Sequence, residues 1–159
     1  MINDGLTDFL NGMGGASRIV LGMILGGMMS IDMGGPFNKA AYVFGTAQLA
    51  EGNFEVMAAV MAGGMVPPIA MGLSFITEGA ISFAASDPLR IIPSCAVGAA
   101  VAGGLSMAFG CTLRAPHGGI FVLPTIGNPA GYLLAVVIGA VVGCGILGLL
   151  RKELKEEER

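Results

Sequence analysis

Long apolar runs set the layout of this chain. Arg18 to Met33, Phe54 to Phe75, Leu89 to Phe109 and Ala130 to Leu150 are stretches in which hydrophobic and small residues follow one another with few charges. Ala130 to Leu150 is the cleanest, 21 residues with no charge. Continuous runs of about 20 apolar residues predict helices that cross a bilayer. The runs are punctuated by Gly, Pro and polar groups. The first ends at Asp32-Met33-Gly34-Gly35-Pro36, and Asn38 to Ala50 predicts a second helix begun just after that Pro. Glu51-Gly52-Asn53 reads as a turn, and Pro67-Pro68 interrupts the second run, Phe54 to Phe75. Ile76 to Pro88 is too polar to face lipid and too short to span, and Thr112 to Asn128 is again irregular. Within a bilayer, irregular backbone survives only where protein or a water-filled cavity satisfies its polar groups. The pattern therefore predicts an all-α membrane protein, a multi-span helical bundle with re-entrant, Gly/Pro-broken segments between the spans.

Residues 1–15 form a polar segment without the basic and short apolar regions of a signal peptide, 16–150 the membrane domain, and 151–159 a charged tail. Ser17 is the expected cap of the first helix.

Composition sharpens this picture. Only 12% of the residues are charged, and eight of the 19 charges fall in Arg151–Arg159. A water-facing surface cannot be built from the remainder, so the solvent for most of the chain is lipid. Gly numbers 27, and small residues four apart recur at Gly22/Gly26, Gly98/Ala102 and Gly139/Gly143, which predicts close helix packing. Arg151-Lys152 directly after the last run predicts a cytoplasmic C-terminus. Cys95, Cys111 and Cys144 lie far apart, and the chain has one His. Neither a disulfide framework nor a metal site is expected, no cofactor motif is present, and nothing points to nucleic acid.

The chemistry is confined to a few polar motifs. Asp32, Asn38 and Lys39 bring an acid, an amide and a base to the first breaker, where they suit either substrate hydroxyls or an interfacial helix start. Ile76-Thr77-Glu78-Gly79 sets one carboxylate among apolar residues. Such a group costs several kcal/mol in hydrocarbon, so Glu78 should face a cavity or a partner. A carboxylate can accept hydrogen bonds from two sugar hydroxyls or act as a base on one. Ala115-Pro116-His117-Gly118-Gly119 holds the only His, whose ring offers a donor and an acceptor. Its bland alternative is a bond to nearby backbone. Asp87-Pro88-Leu89-Arg90 reads as structural, an N-cap followed by Pro with an acid–base pair.

Four motifs in this order resemble the fructose-family permease (IIC component) of the bacterial sugar phosphotransferase system. They are Asp32-Met33-Gly34-Gly35-Pro36 with Asn38-Lys39, Ser74-Phe75-Ile76-Thr77-Glu78-Gly79-Ala80-Ile81, Asp87-Pro88-Leu89-Arg90, and Leu113-Arg114-Ala115-Pro116-His117-Gly118-Gly119-Ile120. The resemblance covers the C-terminal part of such a permease, without the family's N-terminal helices. It implies a multi-pass protein of the inner membrane, usually a homodimer or here an assembly with the missing half. Its implied substrate is fructose or a related hexose or hexitol. Phosphorylation would come from a separate IIB domain, since none of the three cysteines sits in a phosphocysteine loop. By the resemblance Glu78 and His117 lead as sugar contacts, with Glu78 a candidate catalytic group, and Thr77, Gly118, Asp32, Asn38 and Lys39 follow. Two departures stand out: Ser82 where the family usually has Pro, and a short connection between Pro67-Pro68 and Ser74 where it carries a charged loop and more helix. The rival readings are a non-transporting membrane fragment or packing subunit of a split permease, and an ion channel or proton-coupled carrier using Glu78 and Asp32.

Overall fold

The structure, a computed structural model, describes residues 14–66 and 80–150. Its elements in chain order are α1 (Gly15–Ile31), α2 (Pro36–Ala50), α3 (Phe54–Met65), the single turn α4 (Ile81–Ala84), α5 (Pro88–Ala108) and α6 (Pro129–Leu150), with a 3-10 helix at Ile120–Thr125. Among the described residues the only β pairing is an isolated bridge, Leu113 to Ile126. The all-α expectation holds. At 1.5 Å per residue, the 21 residues of α5 and 22 of α6 extend about 32 and 33 Å, enough to cross a hydrocarbon layer about 30 Å thick. The helices α1, α2 and α3 have 17, 15 and 12 residues and fall short of that span.

Most boundaries follow the breakers. Pro36 is the first residue of α2, where its missing N–H costs nothing. The turn at Glu51-Gly52-Asn53 is present, with Gly52 at φ +87°. The expected cap at Ser17 is displaced. Gly14 is the N-cap residue, Arg18 N already donates to Gly14 O, and Ser17 lies inside the first turn. Nothing in Gly14-Gly15-Ala16 stops the ladder from running back that far. Asp87 does occupy the N-cap of α5, but its carboxylate goes to Arg90 at 3.2 Å instead of capping backbone.

Small residues set the packing. A Cβ added to Gly22 would lie 2.6 Å from Gly103 O, and one added to Gly98 would lie 2.6 Å from Gly139 O. The pairings Gly22–Gly103, Gly26–Ala99 and Gly98–Gly139/Gly143 make α5 antiparallel to both α1 and α6. A Cβ on Gly63 would meet Gly26 Cα at 2.5 Å, and Arg18 pairs with Glu55, so α1 and α3 run parallel. The backbones thus touch without side chains between them, the close approach that small-xxx-small spacing permits. All three predicted pairs lie at these crossings.

The centre of the bundle is α3. Val56 to Met65 are all buried, enclosed by α1, α2, α5 and α6. Tyr132, fully buried at the start of α6, donates its hydroxyl to Met65 Sδ at 3.2 Å, which satisfies its polar end in the core. The outward faces carry Val20, Met23 and Ile24 of α1 and Leu133, Leu134, Val137 and Val141 of α6. Exposed apolar faces of this extent suit a lipid solvent.

Gly103→Val forces a side chain into the α1 backbone. It is expected to destabilise the protein by at least about 1–3 kcal/mol, read as a lower unfolding temperature and loss of the monodisperse peak in detergent. Gly145→Ala, with nothing within 4 Å of the added methyl, should leave both unchanged.

Candidate functional site

The first breaker is organised by Asp32. Its Oδ2 accepts from Phe37 N at 2.7 Å and its Oδ1 from Asn38 N at 3.0 Å. Both are orphan donors in the first turn of α2, and a carboxylate there also meets the positive end of the helix. Asn38 is buried and donates from Nδ2 to Met29 O at 2.8 Å, tying α2 back to the last turns of α1. Lys39 is exposed on the next position. Met33 adopts φ +41°, an uncommon angle for a residue with a Cβ, and is buried against Ala80, Ala84 and Ile91. This contact joins the breaker to α4 and the first turn of α5. Glu78 and Thr77 themselves lie outside the described residues, as do Pro67-Pro68.

The segment between α5 and α6 is a hairpin re-entering the bundle. Its base is closed by the Leu113–Ile126 bridge, by Gly127 N donating to Thr112 O at 2.9 Å, and by Leu113 N donating to Phe54 O at 3.0 Å. Asn128 seals the same end: its Nδ2 donates to Phe109 O at 3.1 Å and its Oδ1 accepts from Gly131 N in the first turn of α6. Arg114 lies 5.1 Å over the Phe54 ring, a cation–π contact. Cys111 is buried at the base, and that burial pushes its thiol pKa up, so it is a neutral packing group.

The hairpin's tip meets the middle of α2, where Tyr42 donates its hydroxyl to Pro116 O. Tyr42 stands about 9 Å along α2 from Pro36. The tip therefore reaches the level of mid-α2, with Pro116 and His117 exposed and Gly118 and Gly119 buried behind them. The Nδ1–H of His117 donates to Gly118 O, which fixes the ring against its own turn. Gly119 has φ +91°, which a residue with a side chain rarely adopts, so the sharp exit from the motif requires glycine.

Asp32 and Asn38 thus gather at one end of the bundle, and His117 and Gly118 ride on a hairpin entered from the other. Sequence reasoning missed three contributors. Tyr42 carries no motif, and Arg18 and Glu55 pair at 3.3 Å across 37 positions with no local signal. Asn128-Pro129 shows a cap-then-Pro start, but its part in closing the hairpin is a tertiary fact.

No family model and no solved structure matches the chain. Curated relatives do. The chain is 49% identical over 177 residues to the fructose-specific EIIABC component of the phosphotransferase system of Bacillus subtilis, covering 96% of the chain and 28% of that protein. It is 47% identical over 177 residues to the fructose permease IIC component of Bacillus amyloliquefaciens, covering 96% of the chain and 58% of that protein. With the fructose-specific EIIB'BC component of Escherichia coli it shares 47% over 185 residues, 99% of the chain and 32% of that protein. The chain therefore spans between about a quarter and three fifths of these relatives' lengths. The matched stretches exceed the chain's own 159 residues, so these relatives carry residues within the matched region that this chain lacks.

Asp32→Ala removes both acceptors from the start of α2. It is expected to cost about 1–2 kcal/mol, measured by thermal unfolding in detergent, while Asp32→Asn should fall between the parent and Asp32→Ala, because its amide oxygen caps one N–H and its amide nitrogen, a donor, cannot accept from the other.

Proposed function

We propose that this chain, similar over nearly its whole length to part of the fructose-type permeases (IIC) of the sugar phosphotransferase system, forms part of a sugar path through the membrane. The cargo is fructose or a closely related hexose or hexitol, and a IIB phosphocarrier, as a separate domain or protein, phosphorylates it at the cytoplasmic face. The observation that carries this reading is the re-entrant hairpin. A membrane bundle with no catalytic or channel motif nonetheless inserts a polar His-Gly-Gly tip to the level of mid-α2. Irregular backbone at that depth has a reason to exist where a polar ligand passes.

In this proposal His117 offers its ring to sugar hydroxyls, and the Glu78 carboxylate accepts from two more. Glu78 also serves as the base that takes a hydroxyl proton as phosphorus is attacked. Thr77 and Gly118 add further contacts to the sugar. Asp32 and Asn38 hold the start of α2, and Lys39 stands beside them toward the anionic product. Arg151-Lys152 after α6 orients the bundle with its C-terminus in the cytoplasm. That orientation sets the Asp32–Lys39 breaker and the Asp87–Arg90 pair on the cytoplasmic side, facing the phosphocarrier, with the hairpin entering from outside. Pairing of two such chains, or assembly with further helices, completes the path.

The test is fructose binding to the purified protein by calorimetry. Glu78→Gln and His117→Ala are each expected to weaken binding by about tenfold, the loss of one or two hydrogen bonds to a charged or buried polar group. A parent that binds no hexose, or variants that bind as well as the parent, would overturn the assignment.

A further inference from the structure

A second polar cleft lies at the end of the bundle away from the C-terminus. It has a volume of about 250 Å³ and is lined by Arg18, Asn53, Phe54, Glu55, Met107 and Thr112. Four separate pieces of chain converge on it: the start of α1, the turn into α3, the end of α5 and the base of the hairpin. Arg18 and Glu55 meet through Nη1 and Oε2 at 3.3 Å, with side chains 39% and 34% exposed. A guanidinium has five donors and a carboxylate about four acceptor positions, so one such contact leaves most of their capacity for a ligand. Arg18 and Glu55 offset one another's charge, and the nearby Arg114 guanidinium is engaged over the Phe54 ring, which together favour a neutral ligand over an ion. Thr112 adds a hydroxyl. Met107 and the Phe54 ring, one face of which carries Arg114, supply an apolar wall of the kind that receives the C–H face of a sugar ring. The volume is below the roughly 300–1,000 Å³ of sites for drug-sized ligands, so it suits one ring. Thr112 also lines a neighbouring cleft of about 420 Å³ with Arg114 and Thr125, which carries the polar surface along the hairpin's base.

We propose that this cleft is a mouth site for a neutral monosaccharide or small polyol, separate from the groups around His117. The ligand class follows from the cleft's own chemistry. The choice of fructose as the probe rests on the function proposed above.

The chain contains no Trp, so one introduced Trp reports on its surroundings alone. In Phe54→Trp, fructose and sorbitol should each give a saturable fluorescence change. The change should persist when His117→Ala is added, and should need about tenfold more ligand when Glu55→Gln or Arg18→Met is added instead. Met107→Trp is the second reporter, used if Phe54→Trp disturbs the fold as judged by circular dichroism. A silent signal in both reporters overturns the mouth site, as does a signal indifferent to Glu55→Gln and Arg18→Met or one abolished by His117→Ala. The two readings fail separately. Calorimetric binding that is lost in His117→Ala while both reporters stay silent removes the mouth site alone. A mouth signal in a protein whose total binding ignores Glu78→Gln and His117→Ala removes the deeper assignment alone.

Discussion

Backbone-to-backbone contact between α1, α3 and α5 is the constraint on which the rest of the structure depends. In lipid, apolar side chains gain nothing by leaving one apolar solvent for another, so helices associate through close packing and polar bonds. Gly26 stands at the junction, touching Ala99 and Gly103 of α5 and Gly63 of α3. One methyl group at this crossing meets main-chain atoms, which cannot turn aside as a flexible side chain can. The abundance of glycine is therefore a packing requirement here, and α5 uses both of its faces for it, one toward α1 and the other toward α6.

That rigid frame permits irregular backbone elsewhere. The hairpin between α5 and α6 hangs from ladder bonds at its base and one phenol at its tip, and the breaker after α1 is closed by one carboxylate. Each device consumes polar groups that hydrocarbon would otherwise leave unpaired. Asp32 illustrates how a charged residue in a membrane protein serves the fold: both its oxygens are directed at backbone amides. His117 is held differently, with one nitrogen bonded to its own turn on an exposed tip.

Much of this was legible in the sequence, for reasons that can be named. Spans follow from apolar runs, and Pro36 and Pro88 begin helices because proline suits a first turn. The pairs Gly22/Gly26, Gly98/Ala102 and Gly139/Gly143 reveal helix faces because four residues make about one turn. What stayed hidden has no local signature. Ser17 reads as a cap, but the helix begins earlier because glycine and alanine permit it. Nothing local to Asp32 announces that both of its oxygens accept from backbone amides, Phe37 N and Asn38 N. The contact of Tyr42 with Pro116 links positions 74 apart, and the Arg18–Glu55 pair exists only because α1 and α3 run parallel.

The burial of α3 bears on the order in which the protein is made. Its 12 residues are too few to cross a bilayer alone, and two of the four helices covering it, α5 and α6, come later in the chain. When α3 leaves the ribosome, half of its final surroundings have not been synthesised. It must wait, shielded by α1 and α2, until α5 arrives to close the glycine crossing. Membrane insertion of this region is thus a cooperative event of several segments, and a substitution at Gly103 would act on biogenesis before it acts on the finished protein.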